Sequence, residues 1–97
     1  MPIDVTARHM KARPEVNDHA WTEAQSLVDA FPNIEHVHVI LDVQKRNKTA
    51  EIVVQAKNHV KVEGRESKET LIAAIDAAAA KVERQLRKQR DRVVEHR

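Results

Sequence analysis

The run IEHVHVILDVQKRNKTAEIVVQAKNHVKVEG, residues 34–64, constrains the fold more than any other part of the chain. Apolar side chains recur at every second position, so each segment is a strand with one buried face. In IEHVHVILDVQ the set Val37, Val39, Leu41 and Val43 shares one face, and His36, His38, Ile40 and Asp42 share the other. KTAEIVVQA repeats the pattern with Ala50, Ile52, Val54 and Ala56, and HVKVEG adds a shorter strand through Val60 and Val62. The polar QKRNK between the first two is too short for anything but a hairpin. Three consecutive antiparallel strands follow.

PIDVTAR alternates in the same way, which predicts a first strand over residues 2–8. After it the period changes. Pro14 suits the first turn of a helix, where its missing N–H is not needed, and Val16, Ala20, Ala24, Leu27 and Phe31 then recur every three or four residues. This helix is expected over residues 14–31, stopping before Pro32. A second helix is expected from Ser67, as N-cap, into the nineties, because Leu71, Ile75, Ala78, Val82, Leu86 and Val93 fall on one stripe at ~100° per residue. The predicted fold is α+β in the order β-α-β-β-β-α, with two amphipathic helices covering one face of a four-stranded sheet. A helical crossover makes the first two strands parallel.

With 97 residues the chain has room for one domain and one small core, residues 1–97 throughout. Cysteine is absent, which removes disulfides and thiolate metal ligands. The N-terminal residues lack a secretory pattern, and no apolar run approaches the ~18 residues of a membrane span, so a cytoplasmic protein with no membrane partner is expected.

Charge is where the sequence points to function. The net value is only +2, but residues 14–35 hold five acids and no Lys or Arg, whereas KVERQLRKQRDR, residues 81–92, holds six basic residues against two acids. On a helical wheel Lys81, Arg84, Lys88 and Arg92 lie within ~80° of one another, almost opposite the apolar stripe, which predicts an unpaired cationic face pointing away from the core. Glu83 and Arg87 are spaced for an i,i+4 ion pair. The predicted topology also gathers Arg8, His9, Lys11 and Arg13 near Lys45, Arg46 and Lys48, and near Arg65 and Lys68, at one end of the sheet. An unpaired cationic surface suits phosphates, whose neutralisation releases counterions. One tryptophan, one phenylalanine and no tyrosine disfavour base stacking, so recognition is expected to run through phosphates, ribose and shape.

Other chemistry has little support. His36 and His38 share a strand face, but no cysteine or clustered carboxylate pair completes a metal set, and neither metal nor cofactor is expected. A single glycine, with no nucleophile motif, argues against a nucleotide-wrapping loop and against an enzyme, and no catalytic residue is assigned.

The segment Lys81-Val82-Glu83-Arg84-Gln85-Leu86-Arg87-Lys88, preceded by Ala73-Ala74-Ile75-Asp76, resembles the KLERQLxK and AAID segments of the short ribosome hibernation-promoting factor and ribosome-associated inhibitor family. Thr6-Ala7-Arg8-His9, His38-Val39-Ile40-Leu41, Lys45-Arg46 and Ala50-Glu51 match in the same order, so the resemblance spans the chain. It implies a fold similar to double-stranded RNA-binding domains, and binding to the small ribosomal subunit over the sites of messenger and transfer RNA. It also implies that Lys81, Arg84 and Lys88, with Arg87 beside them, touch 16S-type ribosomal RNA; Arg8, His9, Lys45 and Arg46 match less exclusive positions. Ile72 and His19 stand where the family often has aromatics. Long members carry a further dimerisation domain, absent here, so the chain would either need a second factor to pair ribosomes or silence single ones alone; off the ribosome a monomer is expected. Two rivals stand beside this reading: a general double-stranded RNA binder, and a module docking its basic helix on an acidic protein.

Overall fold

The computed structural model describes residues 2–95, and their side chains as far as residue 90. The elements follow the order β1 (Ile3–Arg8), α1 (Pro14–Ala30), β2 (Ile34–Gln44), β3 (Asn47–Ala56), β4 (Val60–Lys68) and α2 (Leu71–Glu95). One sheet in the order β1-β2-β3-β4 carries both helices, with β1 parallel to β2 and the other pairs antiparallel.

Each boundary has a local cause. α1 starts at Pro14, and the carbonyl of Arg13 takes the N–H groups of Val16 and Asn17, both at 3.0 Å. It ends at Phe31, whose N–H bonds to Leu27 just before Pro32 blocks continuation. Ile34 and Val37 are both buried although they are three positions apart, which in an unbroken strand would put them on opposite faces; the register slips between Ile34 and His36, and this bulge at Glu35 returns Ile34 to the core face. The core lies between sheet and helices, with Leu41, Ile52, Val37, Val39 and Val54 of the sheet meeting Ile75 and Val82 of α2 and Ala20, Ala24 and Leu27 of α1.

Two expectations at the start of the second helix are corrected. β4 does not stop at Gly64 but continues to Lys68, because Glu66, Ser67 and Lys68 pair with Ala50, Thr49 and Lys48 of β3. Ser67 is therefore a strand residue, its hydroxyl hydrogen-bonded to that of Thr49 at 2.8 Å. The N-cap is Thr70, whose Oγ1 accepts the Ala73 N–H at 3.1 Å.

Gly64 sets how closely α2 approaches. A Cβ there would lie 2.8 Å from the Ala78 carbonyl oxygen and 2.9 Å from Val82 Cγ2, so this strand position admits no side chain. α2 then runs back antiparallel to β4. Gln89 and Arg90 reach the level of Asn58 and Val60, where with Phe31, Ile34 and Leu86 they line an apolar cavity of about 250 Å³. The helix backbone beyond Arg90 continues past the β3–β4 turn, and the molecule is 48 Å long.

Candidate nucleic-acid interface

The register assembles the first basic region as the topology requires. Arg8 at the end of β1 stands opposite Asp42, and Lys48 stands opposite Lys68. Lys45 and Arg46 form the two-residue turn between β2 and β3, exposed at its tip. Lys45 has φ 58° and His9 has φ 58°, left-handed conformations that lysine and histidine rarely adopt. Asn58 and His59 in the β3–β4 turn share this conformation, so it marks the tight turns of the chain. The turn at His9 brings its ring back onto the sheet, where Nδ1 donates to Asp42 Oδ1 at 2.9 Å. An acid thus sits inside this region. Lys11 and Arg13 are exposed on the segment leading to α1.

The stripe on α2 is arranged differently from its sequence-based expectation. Lys81 is not free: its Nζ donates to Glu66 Oε2 at 2.7 Å and to the Arg65 carbonyl at 3.4 Å. Its stem lies over Gly64, whose virtual Cβ is 3.4 Å from Lys81 Cβ. One turn on, Gln85 Nε2 donates to the Glu63 carbonyl at 2.9 Å. These contacts cover the outer edge of β4, a row of backbone acceptors that would otherwise be open to another strand. The physical reason is register: β4 turns Glu66 toward the helices, so the nearest cation of α2 leans over the strand to meet it. The stripe is therefore rotated toward the β4 flank. The Lys81 hydrogen bond and charge hold the Glu66 carboxyl below its ordinary value.

Arg84 and Lys88 keep the character expected of them. Both are exposed, and neither forms an ion pair among the described residues. Arg87 faces the other flank and donates to Glu83 Oε1 at 2.8 Å, the anticipated i,i+4 pair. The side chain of Arg92 lies outside the described residues. Because α2 runs antiparallel to β4, the free cations Arg84 and Lys88 sit toward the end of the molecule opposite the strand-end cluster. The eight steps from Lys68 to Val60 span ~26 Å at 3.3 Å each, and α2 follows that edge, so Lys81 stands nearest the strand-end cluster at the level of Glu66, Arg84 one turn further on, and Lys88 well away from it.

The aromatics offer no platform for bases. Phe31 is buried and Arg90 places its guanidinium 5.4 Å over the ring, while Trp21 packs half-buried against the core. On the open sheet face, His36 Nε2 donates to Asp4 Oδ2 at 2.7 Å and His38 Nε2 shares a hydrogen bond with Thr6 Oγ1 at 2.8 Å. These histidines staple β1 to β2.

The opposite flank is acidic and holds a cluster that the sequence did not reveal. His19 Nε2 of α1 donates to Asp76 Oδ1 of α2 at 2.6 Å and lies 3.7 Å from Glu23 Oε1. Burial, reinforced by a hydrogen bond and repulsion from Asp76, pushes the Glu23 carboxyl up, whereas the His19 hydrogen bond holds Asp76 down. The partners are 57 residues apart, and nothing in either helix alone signals the meeting.

Residues 3–94 match the sequence model of the family described as sigma 54 modulation protein / S30EA ribosomal protein. Proteins named ribosome hibernation promoting factor are similar over nearly the whole chain. That of Pseudomonas putida KT2440 is 28% identical over 92 residues, covering 95% of this chain and 89% of its own. That of Klebsiella oxytoca is 26% identical over 99 residues, covering 99% and 100%. Among solved structures, a ribosomal subunit interface protein from Coxiella burnetii superposes with a TM-score of 0.85 at 18% identity, covering 94% of this chain and 99% of the other. The Thermus thermophilus Protein Y N-terminal domain gives 0.78 at 24%, covering 91% and 98%. Both share the fold described above.

Proposed function

Since the chain belongs to the sigma 54 modulation protein / S30EA ribosomal protein family, we propose that it is a ribosome hibernation factor that binds the small ribosomal subunit at the decoding region and blocks messenger and transfer RNA. The observation that carries this reading is the exposed pair Arg84 and Lys88, unpaired among the described residues, on a rigid helix, continuing along the β4 edge from a second basic region at the strand ends. A rigid body with two cationic ends spaced in this way selects a concave RNA surface over an isolated duplex, because both ends gain phosphates only where the RNA surrounds the protein. Each phosphate neutralised adds counterion release and therefore salt sensitivity.

The mechanism is occupancy. The basic side chains of this reading are solvated charges, suited to phosphate contacts. Arg84 and Lys88 supply phosphate contacts at one end. Arg8, Lys11, Lys45 and Arg46 supply them at the other, with His9 partly engaged by Asp42. Lys81 contributes positive potential while holding β4, and Arg87 contributes through its exposed side. The 97 residues act as a single ribosome-binding domain, monomeric off the ribosome, in the cytoplasm where ribosomes are. Among the described residues no helix is long and apolar enough to cross a membrane.

Sedimentation with separated ribosomal subunits across a salt series tests this, with translation of a reporter message followed in parallel. Saturable one-to-one binding to the small subunit, weakening with salt and matched by loss of translation, is expected. Equal binding to any double-stranded RNA, or binding without inhibition, would overturn it.

A further inference from the structure

We propose that His19, Glu23 and Asp76 form a binding site for a divalent transition-metal ion, Zn²⁺ being the best fit, that clamps α1 to α2. The inference does not rest on ribosome binding.

The donor set comes from two elements. His19 and Glu23 are one turn apart on the same face of α1, and Asp76 comes from the facing side of α2; one ligand atom of each lies within 4.8 Å of the other two. Tetrahedral zinc with bonds of about 2.0–2.2 Å sets its ligand atoms about 3.3–3.6 Å apart. The 3.7 Å between His19 Nε2 and Glu23 Oε1 is close to that spacing. For the metal to enter, His19 Nε2 gives up its proton, the ring keeping its N–H at Nδ1, and Asp76 Oδ1, at 2.6 Å from the imidazole and half exposed, exchanges that hydrogen bond for the metal and moves outward. One imidazole with two carboxylates selects a first-row transition metal, since Mg²⁺ and Ca²⁺ prefer oxygen alone.

The surroundings favour a cation. α1 has no Lys or Arg from Pro14 to Ala30. On this flank of α2, Arg87 is held by Glu83 and Arg90 lies over the Phe31 ring. Glu23 and Asp76 also border a cleft of about 170 Å³ that runs from them past Ser26 and Glu83 toward Ala30 and Phe31, with room for water next to the two carboxylates. The site is on the flank of α2 facing α1, whereas Arg84 and Lys88 are exposed on the face of α2 turned away from the core. Metal and RNA therefore use different faces, and the ion would brace the helix that carries the cations.

The test uses tag-free protein stripped of metal with chelator. Equilibrium dialysis should give one tightly held Zn²⁺ per chain, and melting with zinc a hundredfold above Kd should raise Tm by about 10 °C. His36→Gln should retain both effects, and His19→Gln and Asp76→Asn should lose them. In the wild-type protein, zinc should shift the ring resonances of His19 and not those of His36 or His38, a readout that needs no variant to fold. Absence of stoichiometric zinc, an unchanged response in folded His19→Gln, or an equal Tm rise with Mg²⁺ would overturn the site.

Discussion

Two residues on either side of the β4–α2 contact carry most of its geometry. At Gly64 an added Cβ meets a backbone carbonyl at 2.8 Å, and a carbonyl inside a helix cannot move aside as a flexible side chain can. Gly64→Ala should therefore destabilise by about 1–3 kcal/mol through overpacking, read as a loss of roughly 5–20 °C in Tm. An unchanged Tm would mean that the helix shifts freely over the sheet. Lys81, above it, is expected to report through Glu66. The Glu66 carboxyl is lowered in the folded state, so its contribution to stability is present above the unfolded pKa and is lost as pH falls through the folded one. Lys81→Met should return the Glu66 pKa toward its ordinary value by NMR titration. The Tm difference between wild type and variant should shrink as pH is lowered from neutrality to below about 4. A pH-independent difference would assign the effect to packing of the lysine stem instead.

At the scale of elements, the cationic face of α2 divides into a structural part and a free part. The helical wheel put Lys81, Arg84, Lys88 and Arg92 in one class because periodicity sees only the helix; it carries no information about Glu66, which enters through the pairing of β4 with β3. The same limit hid the end of β4. Glu66, Ser67 and Lys68 have no apolar alternation to show, and Ser67 looks like a cap until Thr49 is known to stand opposite it. The strands that were legible, such as Val37 to Leu41 and Ala50 to Val54, owe it to burial against helices, which writes period two into the sequence. The division has a consequence for experiment. Arg84→Glu with Lys88→Glu should leave far-UV circular dichroism and Tm nearly unchanged, since both side chains are exposed and unpaired among the described residues, while weakening small-subunit binding by at least tenfold and flattening its salt dependence. Full binding by this variant would remove the free part of α2 from the interface. Adding Lys81→Glu to it would confound the result, because a charge placed against Glu66 loosens the β4 edge as well.

At the scale of the whole molecule, charge is sorted by position: cations at the strand ends and along the β4 flank of α2, acids on α1 and the facing side of α2. Much of this was visible in the chain, since residues 14–35 carry no Lys or Arg and the strand order places Arg8, Lys45 and Lys68 at one end. The separation of the two basic regions was not visible, because it depends on α2 turning back antiparallel to β4 after Thr70. That separation implies two anchoring points. Lys45→Glu with Arg46→Glu should lower affinity for the small subunit independently of the α2 pair, so that the losses add in free energy. A silent hairpin variant would confine the interface to α2. The most direct test is competition on the small subunit. With messenger and a labelled transfer RNA present, one equivalent of the wild-type protein should prevent transfer RNA from binding, while the Arg84→Glu, Lys88→Glu variant should not. A stable complex holding protein, messenger and transfer RNA together would contradict occupancy of the decoding region.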